Sequence, residues 1–333
     1  MLFCNSVGAL TIKCLYLRYN HVFKRLTIII LFTVLAFTKV CAQYDVSFSH
    51  YFDMEPSFNP ASIGKQAKLS INAAYALNMA GFEHNSRTMY FGGDMPFYFA
   101  KAYHGVGAQL VSDQIGLFTH QRVSMQYAYK HSLFDGTISV GLQLGFLSEK
   151  FDGSKLDLGE SNDPAFPTSN VNGSGVDIAL GLYYMHGPWY AGVSGQHMNA
   201  PLIKLGEANE LQLDRTYYLT GGYNIKLRNP FLSIRPSLLV RTDGVAYRAD
   251  VTGRLVYTNE NKVMYCGIAY SPANSVTFMF GGSFHGIIVG YSYEVYTSAI
   301  NPGNGSHELF VSYQMDVNLV KKGKNKHKSV RIL

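Results

Sequence analysis

The chain has 333 residues, of which 47% are hydrophobic and only 15% are charged. Soluble proteins carry about 25% charged residues, so the composition favours a membrane protein. The whole chain has a net charge of +6. Residues 1–42 contain five basic side chains and residues 321–333 contain six, with no acidic residue in either stretch. The body of the chain between these two stretches is therefore mildly acidic. Such a body offers no basic face to a nucleic acid, which excludes that class of partner.

Residues 1–42 have the features of a secretory signal peptide. Lys24 and Arg25 precede an apolar stretch at 26–37, and Val40-Cys41-Ala42 suits a cleavage site. We therefore expect 43–67 to follow as a periplasmic N-terminal segment. Cleavage leaves one cysteine in the mature chain, and a single cysteine cannot form an intrachain disulfide.

The mature chain is dominated by segments of about ten residues in which apolar and polar side chains alternate. In the segment 137–146, residues of even number are mainly large and apolar, including Leu142, whereas residues of odd number are small or polar, including Gln143. This pattern predicts that Leu142 faces lipid and that Gln143 faces a lumen. Fourteen such segments centre near residues 72, 91, 108, 124, 142, 180, 192, 221, 236, 252, 267, 279, 291 and 312.

The segments predict an all-β fold, namely a transmembrane antiparallel up-and-down β-barrel of about 14 strands over residues 68–317. Each segment is long enough to cross a bilayer as a tilted strand, and an even number of strands allows an antiparallel barrel to close. After the signal, the chain has no apolar run long enough for a spanning helix. A soluble β-sandwich or lipocalin-like barrel is the alternative, but one face is too rich in Gly, Ser and Gln for a dry core.

The connections between the predicted strands differ in length. Short turns are predicted at 131–135, 185–188, 227–230, 259–262 and near 285, and the two longest connections at 148–174 and 198–215. Short periplasmic turns and longer external loops are typical of outer-membrane barrels. We therefore expect the barrel in the cell outer membrane, with a basic tail at 318–333 in the periplasm.

Several charged side chains share the inward phase of neighbouring strands. We predict a lumen charge network, with a structural role, formed by Arg235, Arg241, Arg248, Asp250 and Arg254. A substrate path or a surface that docks a plug is the alternative interpretation. The sequence contains no recognisable catalytic, cofactor-binding or metal-binding motif, so we predict a protein that is not an enzyme and needs no cofactor.

Specific motifs then indicate a family. They are Ser47-Phe48-Ser49-His50-Tyr51, Asn59-Pro60-Ala61 with Gly64, Arg87-Thr88-Met89-Tyr90, Asp94-Met95-Pro96, Gly105-Val106-Gly107 and the run 301–309. In order and spacing these motifs resemble the PorP/SprF family of Bacteroidota outer-membrane proteins, most closely its PorP branch. His50 stands where the family more often has Gln.

The resemblance implies a non-enzymatic barrel of the type IX secretion system, which exports proteins and in some species supports gliding motility. Implied partners are outer-membrane lipid, the periplasmic PorK/PorN ring, a PorE-like peptidoglycan-binding protein and secreted cargo. The barrel would link the outer membrane to the ring or to the peptidoglycan-bound protein and support cargo secretion. An outer-membrane porin or uptake channel for small solutes is the alternative function.

Both ends of the mature chain are candidates for docking these partners, because an even strand count places both on one side of the membrane. The first candidate is aromatic and Pro-rich and includes Phe58, Asn59, Pro60 and Gly64. The second is the basic tail, whose charged residues are Lys321, Lys322, Lys324, Lys326, Lys328 and Arg331.

Overall fold

The computed structural model describes residues 45–153, 170–206, 209–260, 262–298 and 303–317, so the predicted signal peptide and basic tail lie outside the described residues. The first seven strands are β1 (Lys68–Leu77), β2 (Arg87–Phe99), β3 (Ala102–Ile115), β4 (Phe118–Leu133), β5 (Gly136–Asp152), β6 (Asn170–His186) and β7 (Trp189–Gln196). The others are β8 (Leu202–Leu205), β9 (Asn209–Gln212), β10 (Thr216–Tyr223), β11 (Ile225–Lys226), β12 (Leu232–Thr242), β13 (Tyr247–Asn259), β14 (Lys262–Ser271), β15 (Ser275–Phe284), β16 (Ile287–Tyr296) and β17 (Ser306–Asp316).

Fourteen of these strands form one closed antiparallel barrel, as predicted. Each pairs with its neighbour in the chain, β10 pairs with β7 and β12, and β1 closes the barrel by pairing with β17. Closure is physically required in a bilayer, because an open sheet would leave unpaired backbone groups in hydrocarbon. Each of the fourteen predicted strand centres falls within one barrel strand.

The alternation of side chains along β5 follows the prediction. Leu142 is 39% exposed on the outer face, whereas Gln143 is fully buried inside the barrel. The outer face of the barrel therefore presents the large apolar side chains, and the inner face presents Gly, Ser, Gln and the charged residues. Within the described residues, no helix has both the length and the apolar character needed to cross a membrane.

The barrel has two distinct ends. The short-turn end contains the start of β1, the end of β17 and the tight turns at residues 134–135, 187–188 and 285–286. The long-loop end, at the other ends of the strands, contains the two longest connections, between β5 and β6 and between β7 and β10.

One of the two long connections differs from its predicted extent. The strands β5 and β6 continue to Asp152 and from Asn170, so the connection between them is shorter than the predicted 148–174. The alternation of apolar side chains stops earlier because the outer face becomes polar at Lys150 and Asp152, although the strands stay paired. The other connection contains the hairpin β8–β9, which the sequence analysis did not predict.

The hairpin β8–β9 covers part of the long-loop end of the lumen. Ile203 in β8 and Leu213 after β9 are buried against Leu147 of β5. A Cβ atom at Gly173 of β6 would lie 2.2 Å from the carbonyl oxygen of Lys204, so the hairpin requires glycine there. The extended parts of β5 and β6 thus serve as a support for the hairpin.

Residues Asp45–Lys65, which we call the plug, lie inside the barrel. Asp45 lies beside Arg122, four residues from the long-loop end of β4, and Ile63 lies against Gly105, three residues from the short-turn end of β3. The plug therefore runs along the lumen from the long-loop end to the short-turn end. It contains two 3-10 helices, Glu55–Ser57 and Pro60–Ser62.

Candidate functional site in the lumen

The inner face of the barrel is shaped to the backbone of the plug. A Cβ atom at Gly141 of β5 would lie 2.2 Å from the amide nitrogen of Ala61, and one at Gly181 of β6 would lie 2.1 Å from Oδ1 of Asn59. Glycine at these positions lets the second 3-10 helix pack directly on the wall. The small side chains of the predicted lumen face are thus explained by a polypeptide that fills the lumen.

Aromatic side chains of the plug fill the space that the small wall residues leave. Phe48 packs with Tyr90 and Phe310 near the long-loop end, and Tyr51 and Phe58 pack with Tyr218 in a second cluster. The rings of Phe58 and Tyr218 are stacked with centroids 5.4 Å apart. Burial of such rings is the main source of stabilisation for a segment with little regular secondary structure.

Glu308 of β17 is the strongest polar anchor of the plug. Its carboxylate accepts hydrogen bonds from the amide nitrogens of Ser49 at 2.6 Å and His50 at 3.0 Å, and Nδ1 of His50 lies 2.7 Å from it. Glu308 is 4% exposed and His50 is fully buried. A carboxylate that receives several hydrogen bonds in a buried site holds its partners firmly, because each group would be costly to leave unpaired.

The Asn59-Pro60-Ala61 motif forms the start of the second 3-10 helix. The side chain of Asn59 accepts a hydrogen bond from the amide of Ala61 at 2.9 Å and donates one to the carbonyl of Leu182 at 3.2 Å. At the end of the same turn, Gly64 donates its amide hydrogen to Oδ2 of Asp94 at 2.7 Å. Gly64 has a φ of +59°, which favours glycine because other residues are strained in that conformation.

Four of the residues predicted to dock a partner are therefore buried. Phe58 is 6% exposed, Asn59 is fully buried, and Pro60 and Gly64 are also buried. They do not form the exposed surface that was predicted for them, because they pack against the barrel wall and make hydrogen bonds with it. Their docking role stays a prediction, and the basic tail lies outside the described residues.

A layer of glutamines, which the sequence analysis missed, supports the middle of the plug. Nε2 of Gln109 and Nε2 of Gln126 both donate to Oε1 of Gln143, at 2.9 and 2.8 Å, and Gln143 donates to Gln196 at 3.2 Å. Gln126 and Gln196 also donate to the plug carbonyls of Pro56 and Phe58. The inward phase of glutamines on neighbouring strands is visible in the sequence. Which of them lie side by side depends on the register between strands, which the sequence alone does not give.

At the long-loop end, the first described residue of the plug joins a buried cluster of charges. His197 lies between two carboxylates, with Nε2 3.5 Å from Asp45 and Nδ1 2.9 Å from Asp177. Nη1 of Arg122 lies 4.0 Å from Asp45 and 3.9 Å from Asp177. Tyr218 donates a hydrogen bond to Asp45 at 2.5 Å. A cavity of about 30 Å³ borders this cluster, which is room for about two water molecules.

The charges of this cluster shift one another's ionisation. Burial acts to raise the pKa of Asp45, but the adjacent His197 and Arg122 hold it well below its usual range. Burial acts to lower the pKa of His197, but the carboxylates of Asp45 and Asp177 raise it to about 9. His197 is therefore protonated at neutral pH and links the plug to β6.

Four of the five predicted lumen charges have partners. Arg241 donates to the hydroxyl of Ser47 at 2.8 Å, and Arg248 donates to Asp250 and Glu294, both at 3.0 Å. Nη1 of Arg254 lies 3.8 Å from Asp53 of the plug, and its guanidinium stacks 3.3 Å from the ring centre of Phe52. The structural role predicted for these residues stays a prediction, although their partners agree with it.

Arg235 is the exception among the predicted lumen charges. It points inward opposite Arg254, with which it is paired across β12 and β13. Within the described residues it makes no hydrogen bond and no ion pair, and its Nε atom is buried without a partner. The described residues likewise contain no group of three or more His, Cys, Asp or Glu side chains placed to hold a metal ion.

A comparison with protein families gives one match, over residues 40–313, to the type IX secretion system membrane protein PorP/SprF. The match covers most of the barrel and the whole plug. The chain belongs to the PorP/SprF family. This confirms the predicted family, and with the closed barrel it places the protein among the membrane components of the type IX secretion system.

Other comparisons show similarity in fold only. The toluene transporter TbuX of Ralstonia pickettii is 13% identical, with 84% of this chain and 96% of the transporter covered and a TM-score of 0.47. The toluene transporter TodX of Pseudomonas putida is 10% identical, with 82% and 95% covered and a TM-score of 0.46. BamA of Haemophilus ducreyi is 9% identical, with 74% and 70% covered and a TM-score of 0.40. No curated protein sequence matches this PorP/SprF chain.

Proposed function

We propose that this PorP/SprF protein is a sealed, non-enzymatic barrel that anchors part of the type IX secretion machine in the outer membrane and supports cargo secretion. The observation that carries the proposal is the plug, which occupies the lumen over its length and is held by buried contacts. A barrel filled by its own chain is suited to a scaffold. It is not suited to free diffusion of solutes, so the porin alternative is disfavoured.

In this proposal the short-turn end faces the periplasm and the long-loop end faces outward, as in other outer-membrane barrels. The basic tail then follows β17 into the periplasm and docks on the PorK/PorN ring or on a PorE-like peptidoglycan-bound partner. Six positive charges without an acidic neighbour attract an acidic partner surface over a screening length of about 8 Å.

Recovery of partners with the full-length protein from detergent-solubilised membranes tests this role. Replacing the six basic residues of the tail with Gln should reduce recovery of ring proteins and secretion of cargo, without lowering barrel abundance. The matched control replaces the five tail lysines with Arg, which preserves the charge and should preserve recovery. Unchanged recovery with the Gln variant would contradict tail docking.

Two further measurements address the orientation and the sealed lumen. In a Cys266→Ser background, a cysteine at Lys204 in β8 should react with an impermeant reagent added to intact cells, whereas one at Arg228 should not. The opposite labelling would reverse the proposed topology. In planar bilayers the purified protein should conduct far less than an open porin, and a large steady conductance would favour the uptake-channel alternative.

A further inference from the structure

Two arginines face each other near the short-turn end of the lumen. Arg235 and Arg254 are direct cross-strand partners, and both side chains point inward. Like charges in such a pair repel each other, since directly opposed side chains have Cβ atoms about 5 Å apart. A barrel wall has no structural need for this pair unless a negative group lies between or beside the guanidinium groups.

The plug supplies only part of that negative charge. Asp53 approaches Arg254 at 3.8 Å, which is beyond hydrogen-bond distance, and its side chain is 39% exposed. The Nε atoms of Arg235 and Arg254 are buried and have no hydrogen-bond partner, and Arg254 is only 9% exposed. Two guanidinium groups therefore share one loosely held carboxylate.

A ligand for these two arginines must be able to reach them from solvent. Guanidinium groups are donors that proteins use to bind carboxylates. The exposed side chain of Asp53 shows that solvent reaches this part of the lumen.

We propose that Arg235 and Arg254 form a binding site for a carboxylate carried by an acidic segment of a partner polypeptide, which enters through the short-turn end of the barrel. The lumen already recognises this chemistry within the chain. Asp45 of the plug meets Arg122, and Asp53 meets Arg254, so acidic residues on an extended polypeptide are the groups that its arginines accept. Arg235 makes no ion pair of its own among the described residues.

Other parts of this chain are poor candidates for the occupant. The tail at 318–333 contains no acidic residue and would be repelled by the arginines. The acidic residues of 154–169 belong to the connection between β5 and β6, whose described ends lie at the long-loop end. Lipid phosphate is excluded from an inward-facing site by the closed wall. A separate acidic polypeptide is therefore the occupant that charge and position favour.

The assignment is tested with the purified full-length protein in detergent micelles, so it does not depend on the secretion role or on the topology. The probe is a short labelled peptide with several aspartates, compared with the same peptide in which each Asp is replaced by Asn. The acidic peptide should bind and the neutral one should not. Binding should weaken as salt is added, because screening shortens the range of the charges.

Variants then locate the binding. Arg235→Gln should weaken binding of the acidic peptide about tenfold, the loss expected when one charge-assisted hydrogen bond is removed. Arg235→Lys should retain much of the affinity because it retains the charge. Arg228→Gln is the matched control, since Arg228 is an exposed arginine in the loop before β12 and should leave binding unchanged.

Several outcomes would overturn the proposal. They are equal binding of the acidic and neutral peptides, an equal loss of binding in Arg228→Gln and Arg235→Gln, or unchanged binding in Arg235→Gln. Binding of inorganic sulfate without binding of the acidic peptide would also contradict a polypeptide ligand. Heat-modifiable migration in gel electrophoresis checks that each variant is folded. If Arg235→Gln does not assemble, the comparison of the acidic with the neutral peptide on the parent protein still tests the proposal, since it needs no variant.

Discussion

The two ends of the lumen hold similar charged residues but pair them differently. At the long-loop end, Asp45, Arg122, Asp177 and His197 are buried together within 4.0 Å of their partners. At the short-turn end, Arg235 has no partner among the described residues, and Asp53 is partly exposed. The difference indicates that the charges at the long-loop end help to hold the plug, whereas those at the short-turn end include an unpaired arginine that the proposed ligand can use.

The largest expected effect comes from removing the anchor of the plug. Glu308→Ala should lower the stability of the folded barrel by about 3–5 kcal/mol, since it leaves two backbone amides and a His50 nitrogen buried without an acceptor. A cysteine at Ser62, buried in the parent protein, should become reactive in this variant. Asp316→Ala, on the same strand but with a 91% exposed side chain, is the control and should change neither property.

The protonation of His197 should make the long-loop end sensitive to alkaline pH. Its folded pKa of about 9 lies above the usual 6.5, so its stabilising contribution is complete below pH 6.5 and is lost as pH rises through 9. The expected loss is on the order of 3 kcal/mol. Unfolding by urea in lipid vesicles between pH 6 and 10 measures it, and His197→Gln should flatten this dependence. An identical pH profile in that variant would rule out the cluster as the cause.

A smaller effect is expected from a paired lumen arginine. Arg248→Gln breaks the ion pairs with Asp250 and Glu294 and leaves two carboxylates without their cation, which should destabilise the barrel by roughly 1–3 kcal/mol. The same urea titration measures the change. Arg87→Gln, an exposed arginine of β2, should have little effect. Loss of secretion with full stability would instead give Arg248 a direct functional role.

The smallest effect is expected from the unpaired arginine, and its sign sharpens the comparison. Arg235→Gln removes repulsion with Arg254 and breaks no ion pair among the described residues, so stability should stay the same or rise by about 0.2–1 kcal/mol. Side-by-side titration with Arg248→Gln is the measurement. A destabilisation as large as that of Arg248→Gln would show that both ends of the lumen are equally structural.

The sequence alone determined the barrel because its strands must satisfy two local conditions. Each strand alternates apolar and polar side chains, and each is long enough to cross a bilayer, so the strand number and the faces of Leu142 and Gln143 followed from local pattern. The family also followed from short motifs that lie close to one another in the chain. Such features need no knowledge of contacts between distant residues.

Only the tertiary structure decided where the plug lies and which charges meet. Glu308 and His50 are separated by 258 residues, and the pairing of Arg235 with Arg254 depends on the register of β12 against β13. The segment around Asn59 is aromatic and Pro-rich, a composition compatible with either an exposed docking peptide or a buried filler. It is buried because closure of the barrel creates a lumen lined with small residues, and packing aromatic rings there is more favourable than leaving them in water.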